Sequence, residues 1–139
     1  MASANQDLVR SLYAAWERGD YRSVEWAHPE IEFVIADGPA PGSWTGLAGM
    51  ADAWRDFISP WEEFRSEVEE YRELDDERVL VLNRFGARGK TSGLEVGQMR
   101  VQGASVFLVH EGKVKRLVVY FDRERALADL DLAPETGSP

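Results

Sequence analysis

Cysteine is absent from the 139 residues, which excludes disulfide staples, thiol nucleophiles and thiolate metal sites. Histidine is scarce: His28 and His110 are the only two, too few for an all-histidine metal cage. No apolar run reaches the roughly 18 residues that a spanning helix needs. The opening stretch MASANQDLVR lacks the basic flank and apolar segment of a signal peptide, so a reduced, cytoplasmic compartment is expected. Bases are outnumbered, with 16 Lys and Arg against 25 Asp and Glu and a net charge of −9. That balance argues against nucleic acid or an anionic membrane as partner.

What remains, 44% hydrophobic and 29% charged residues, is the composition of one globular domain. Charge is segregated along it. Residues 1–77 hold six bases and eighteen acids, and residues 78–125 hold ten bases and four acids. Such a split marks solvated faces of opposite sign more often than one basic sheet face. No internal repeat is visible, and only Ala133 to Pro139 reads as a loose tail. One domain over residues 5–131 and a flexible tail over 132–139 are expected.

Ser3 and Gln6 form a capping box, after which Leu8, Leu12 and Trp16 recur every four residues until Gly19 stops the helix. Asp20 caps a second, shorter helix through Val24 and Trp26, ended by Pro29. Ile31, Phe33 and Ile35 alternate with Glu32 and Val34 as a first strand. The loop DGPAPGSWTG is too rich in Pro and Gly to continue it. A third helix carries Leu47, Met50, Trp54, Phe57/Ile58 and Trp61 on one face.

From Phe64 the chain turns to strands: the acidic FRSEVEEYREL, ending at Asp75-Asp76, then VLVLNRF, MRVQGASVFLV and VKRLVVYF. The loop ARGKTSG and the turn His110-Glu111-Gly112 join them. Asp122 caps a last short helix, ALADL. The order ααβαββββα with short turns predicts a mainly antiparallel sheet with helices on one face, the α+β class. Runs such as VFLV and LVVYF are apolar at consecutive positions, so both faces of those strands require cover. A second subunit is the simplest cover for the outer face carrying Val106, Val118 and Tyr120, and a homodimer is expected.

Familiar chemical motifs fail on spacing. Gly86-Ala87-Arg88-Gly89-Lys90-Thr91 resembles the end of a phosphate-binding loop, but Arg84 stands where its first Gly belongs, and a strand follows instead of a helix. No G-x-S-x-G elbow is present, and neither histidine is placed to serve a serine. Scattered acids and two isolated histidines have no metal-ligand spacing. Five Trp, six Phe and four Tyr remain, which read equally as core and as the wall of an apolar ligand pocket.

The stretches LYAAWERGDYRSVEWAHPEIEF, SWTGLAGMADAW and FLVHEGKVKRLVVYFDRERALADL resemble SnoaL-like domains, in the superfamily of nuclear transport factor two, ketosteroid isomerase and polyketide cyclases. The resemblance covers residues ~5–131 in element order as well as local wording. It implies a cone-shaped α+β barrel, a curved sheet wrapped around helices that enclose one pocket, commonly dimeric through the sheet. Ketosteroid isomerase uses an Asp base and a Tyr plus a protonated Asp as oxyanion donors. Carried over singly, those positions fall on Ile35, Leu12 and Ser105, so all three groups are missing. Asp37 is the nearest acid to the lost base. The same alignment turns Trp16, Trp54, Leu80, Leu82, Arg84, Leu117, Val119 and Phe121 inward.

Two functions follow. The first is an isomerase, cyclase or hydratase acting on a small, mostly apolar ketone or epoxide by acid-base catalysis. There Asp37 is the base and Arg84 and Ser105 polarise the oxyanion, with no redox or nucleotide cofactor and no metal. The second is a non-catalytic ligand-binding or dimerisation domain. In both, Trp16, Ile35, Trp54, Leu82, Ser105, Val119 and Phe121 line the ligand. A buried Arg84 needs an anionic partner, for which Asp37 and Glu95 are candidates, whereas an Arg84 at the sheet edge reaches solvent.

Overall fold

Alternation of apolar and polar residues builds most of the sheet, and a four-residue apolar stripe builds the helices that pack on it. The computed structural model of the chain describes residues 4–18, 25–37, 41–58, 61–89 and 99–131. The elements are α1 (Ala4–Glu17), β1 (Ala27–Ile35), β2 (Gly42–Thr45), α2 (Gly46–Ile58), β3 (Trp61–Glu73), β4 (Arg78–Gly89), β5 (Met99–His110), β6 (Lys113–Tyr120) and α3 (Arg123–Asp129). Six strands form one curved, unclosed sheet in the order β2-β1-β6-β5-β4-β3. Only β1 and β6 run parallel; the other neighbours are antiparallel. The α+β class is therefore observed.

Several local expectations shift. GSWT, read as loop, pairs with β1 as β2, because four residues at a sheet edge need only satisfy one neighbour. Trp61 opens β3 rather than closing α2, and Ala87 to Gly89 extend β4 instead of starting a loop. Glu25 and Trp26 form a turn, and Pro29 lies inside β1. The Ser3 cap, the Gly19 stop, the Asp20 cap and the 132–139 tail lie outside the described residues. The β5–β6 turn is as expected: His110 pairs with Lys113, and Glu111 and Gly112 take φ of 52° and 77°, the left-handed pair of a two-residue hairpin.

The two faces of the sheet bury separate clusters. On the concave face, Ile31, Phe33, Ile35, Val79, Val81, Phe85, Phe107, Leu117 and Val119 pack with Val9, Leu12 and Tyr13 of α1 and Met50 and Ala53 of α2. On the outer face, Leu80, Leu82, Ala104, Val106 and Tyr120 pack with Ala126 and Leu127 of α3. Helices thus lie on both faces, not one, and α3 supplies part of the cover that the apolar strand runs demand. Asp122 caps α3 as expected, its side chain accepting the Glu124 and Arg125 amides.

A buried cation anchors α3. Arg123, only 5% exposed, donates from Nε to the Gly103 carbonyl at 3.1 Å and from Nη2 to the Asn83 carbonyl at 2.8 Å. Its Nη2 also meets Glu69 at 2.5 Å. The β3–β4 register shifts between Val68 and Glu70, so Glu69 is the extra residue of a bulge, which re-aims a side chain out of the strand's alternation. Gly103 is required there: a Cβ on it would sit 2.3 Å from the Tyr120 carbonyl oxygen and 2.4 Å from the Phe85 ring.

Candidate functional site

Large rings line the concave face in an unbroken series. Tyr13 and Trp16, about one helical turn apart on α1, stack edge-on at 4.9 Å, and Phe107 lies 5.9 Å from Tyr13. Trp16 meets Trp54 of α2 at 6.0 Å, Trp54 meets Phe33 at 5.3 Å, and Phe33 meets Trp44 at 6.0 Å. The edge-to-face contacts of Tyr13 with Trp16 and Phe107, and of Trp16 with Trp54, fix ring orientation as well as bury area. Phe85 and Phe121 form a further pair at 5.2 Å.

Within this apolar surround sits one polar set. Asn83 of β4 is fully buried, and Ser105 of β5 and Tyr13 are 3% and 4% exposed. The Asn83 amide donates to the Tyr13 hydroxyl oxygen at 3.1 Å and to Ser66 Oγ at 3.2 Å. Ser105 Oγ donates to Asn83 Oδ1 at 3.1 Å. Burial pushes the Tyr13 phenol from 10.0 up to about 12, an effect partly offset by its hydrogen bonding with Ser105 and Asn83. Tyr13 is therefore a neutral hydrogen-bonding group at any physiological pH. Among the described residues no buried side-chain nitrogen or oxygen lacks a partner, so a ligand oxygen entering here must exchange with an existing bond.

The residues expected at the site divide. Trp16, Ile35, Trp54, Val119 and Phe121 belong to the concave cluster, and Ser105 joins its polar set. Leu82 and Leu80 do not: both pack with the outer cluster. Arg84 shares their strand phase, its side chain is 60% exposed, and it pairs with Glu69 at 3.4 Å. The expectation that these three turn inward is corrected, because VLVLNRF is apolar on both faces and periodicity alone leaves the phase open. The acid observed beside Arg84 is Glu69 and not Asp37, and Glu95 lies outside the described residues. Asp37 is half-buried, and its carboxylate accepts the Phe121 amide at 2.6 Å and the Asp122 amide at 3.3 Å. It ties the end of β1 to the start of α3. Asp37 and Arg84 are thus committed to different partners.

Two residues escaped the sequence reading. Tyr13 stands one position after Leu12, and Asn83 is the single amide in the strand run VLVLNRF. Each carried a legible signal: a polar-tipped ring on an apolar helix stripe, and an uncharged polar group where burial was certain. His28 lies near the start of β1, where its Nδ1 accepts the Glu30 amide, and His110 sits beside Glu77 at 3.3 Å on the surface. Among the described residues no group of three or more His, Asp or Glu could hold a metal, and no helix is long and apolar enough to cross a membrane.

Comparison with known proteins adds the family. A model described as the SnoaL-like domain matches residues 9–117. An NTF2-like protein of unknown function from Burkholderia pseudomallei superposes with a TM-score of 0.75 at 20% identity, over 91% of this chain and 97% of that one. TerC, co-crystallised with polyporic acid, gives 0.73 at 21% identity over 94% and 98%. A putative SnoaL-like polyketide cyclase from Shewanella putrefaciens gives 0.68 at 15% identity over 93% and 96%. At these identities the likeness is one of fold. No curated protein matches the chain in sequence.

Proposed function

The chain belongs to the SnoaL-like domain family, and from that premise we propose that its concave face receives a small, mostly apolar molecule bearing a carbonyl or hydroxyl oxygen. The observation that carries this reading is the Tyr13–Asn83–Ser105 set, the polar end of a surface otherwise made of rings and aliphatic side chains. A few convergent polar groups in an apolar wall are how such sites orient a ligand. Tyr13, held neutral by burial, donates to the ligand oxygen, and Ser105 stands beside it as a second donor. A similar fold crystallised with polyporic acid supports a small-molecule occupant.

A proton-transfer activity of the isomerase, cyclase or hydratase class is the second reading. The same two hydroxyls would stabilise a developing oxyanion. Its base is the weak point. The buried polar and charged residues, among those described, are Asn83, Ser105 and Arg123, so no carboxylate faces the rings from the core. Asp37 would have to leave the Phe121 and Asp122 amides to act. Non-catalytic binding is favoured on that ground.

A panel of hydroxylated polycyclic aromatic ketones, titrated against the emission of Trp16 and Trp54, tests both readings. Saturable quenching by at least one member, weakened about tenfold in Ser105→Ala, is expected for a lost buried hydrogen bond. No response from any member overturns the pocket. Solvent deuterium entering the α-carbon of a bound ketone, lost in Asp37→Asn, would establish catalysis instead.

A further inference from the structure

β3 is an edge strand of the sheet, and its acidic run carries one neutral face. From residue 66 to residue 73 only Ser66, Val68 and Tyr71 carry no charge. On β4, Ser66 stands opposite Phe85, Val68 opposite Asn83 and Tyr71 opposite Val81. Residues directly opposite in an antiparallel pair share a face. Phe85 and Val81 belong to the concave cluster, against which Val68 and Tyr71 pack. The register shift between Val68 and Glu70 makes the three-residue step from Val68 to Tyr71; an unbroken strand would turn Glu70 onto the rings. Ser66 is thus a hydroxyl at the open edge of the concave face.

Asn83 reaches diagonally to it. Of the two hydrogens on Nδ2, one goes to the Tyr13 oxygen at 3.1 Å and the other to Ser66 Oγ at 3.2 Å. Oδ1 is turned away and accepts from Ser105. A serine hydroxyl has one hydrogen to give, and an oxygen that accepts from an amide points its own hydrogen elsewhere. Among the described residues the bond from Asn83 is the only one Ser66 makes, so that hydrogen is uncommitted. Burial sets Ser66 apart as well. Asn83 is fully buried and Ser105 and Tyr13 are 3% and 4% exposed, whereas Ser66 is half-buried. A molecule entering from water meets Ser66 first, and bonding to it breaks nothing.

On the premise that the concave face receives a small molecule, we propose that Ser66 is a ligand-binding residue that sets its specificity. The Ser66 hydroxyl donates to an acceptor oxygen, so the site takes a carbonyl compound in preference to the same body with a hydroxyl or a methylene there. Asn83 sets that direction. It turns hydrogens, not lone pairs, toward Ser66 and Tyr13, so a ligand hydroxyl finds a donor for its oxygen but no amide acceptor for its hydrogen. Tyr13 and Ser105 reach a ligand only by exchanging bonds they already make; Ser66 does not.

1-Indanone, 1-indanol and indane share a bicyclic body and differ at one position, as carbonyl, hydroxyl and methylene. Titrated by NMR, 1-indanone should bind about fivefold to tenfold more tightly than indane, the worth of one hydrogen bond, with 1-indanol between them. The amide resonances of Ser66, Val68 and Phe85 should move. Ser66→Ala should bring 1-indanone down to the affinity of indane. Ser66→Thr, which keeps the hydroxyl and suits a strand, should preserve the parent order. An unchanged ratio of 1-indanone to indane affinity in Ser66→Ala overturns Ser66 as the donor and leaves the concave site standing. So does 1-indanol binding as tightly as 1-indanone, which would remove the specificity. If none of the three probes moves the concave resonances, the reading of that face fails, and the role of Ser66 with it.

Discussion

On the concave face, Tyr13, Asn83 and Ser105 are neutral and bond to one another. On the outer face, Arg123 carries a full charge into the sheet and meets Glu69 and two backbone carbonyls. The two networks back onto each other through β4 and β5, since Asn83 contributes its side chain to one and its carbonyl to the other. Their chemistry assigns them different work. A neutral hydroxyl can trade one hydrogen-bond partner for a ligand oxygen at small cost. A buried guanidinium that loses its carboxylate is left with an unpaired charge. The first network suits a ligand; the second suits an anchor that does not move.

Gly103 lies where the two faces meet, so Gly103→Ala should break both. Its Cβ would fall 2.3 Å from the Tyr120 carbonyl oxygen and 2.4 Å from the Phe85 ring, and the strand must shift to admit it. We expect a loss of about 3 kcal/mol or more in urea unfolding; a midpoint like that of the parent chain would mean β6 does not cross so closely.

Arg123→Leu tests the anchor alone. Leaving the Gly103 and Asn83 carbonyls without their donor, and Glu69 with Arg84 alone, should cost about 3 kcal/mol, and adding Glu69→Gln should recover part of it. The Glu69 carboxyl is held below its ordinary range first by the hydrogen bond from Arg123. Its contribution is thus present above the ordinary carboxylate range and is lost as pH falls through the depressed value. Arg123→Leu should flatten that acid limb. If both variants unfold with the same pH profile as the parent, the ion pair is not the anchor.

On the other face the titration has the opposite sense. Tyr13 is raised from 10.0 to about 12, so above pH 10 the unfolded chain releases a proton that the folded chain retains. Stability from this source is intact below pH 10 and falls by about 2–3 kcal/mol as pH rises to about 12. Tyr13→Phe should remove that part of the alkaline loss, at a cost near neutrality of about 1 kcal/mol for the hydrogen bond. An unchanged alkaline limb would place the phenol in contact with water. Arg84→Leu should have the smallest effect, within about 1 kcal/mol, because its pairing with Glu69 is exposed on the arginine side. A large loss would show that Arg84 shares the work of Arg123.

Elements with one dominant periodicity were legible from the sequence. Ile31, Phe33 and Ile35 alternate with charged or half-buried neighbours and do face the core. Asp122 begins α3, and Glu111-Gly112 turns the last hairpin, because caps and left-handed turns are local chemistry. Position along an element was harder. Leu12 and Tyr13 are both buried, and one step on a helix rotates a side chain by about 100°. Carrying the family's Tyr position onto Leu12, and so finding that group missing, passed over the hydroxyl one residue on.

By itself the sequence determined the class of fold, its element order apart from one short strand and the helix expected through Val24 and Trp26, where Glu25 and Trp26 form a turn, and the need for cover on both sheet faces, since apolar runs and turn residues act over a few positions. Tertiary structure alone decided which side of β4 faces the rings. Leu80, Leu82 and Arg84 could lie on either face until α1 had claimed Asn83 through Tyr13. It also decided that the buried arginine is Arg123 and that its acid is Glu69, 54 residues away along the chain. No local pattern joins them: a strand bulge, a helix start and the pairing of β4 with β5 must all be in place before the two charges meet.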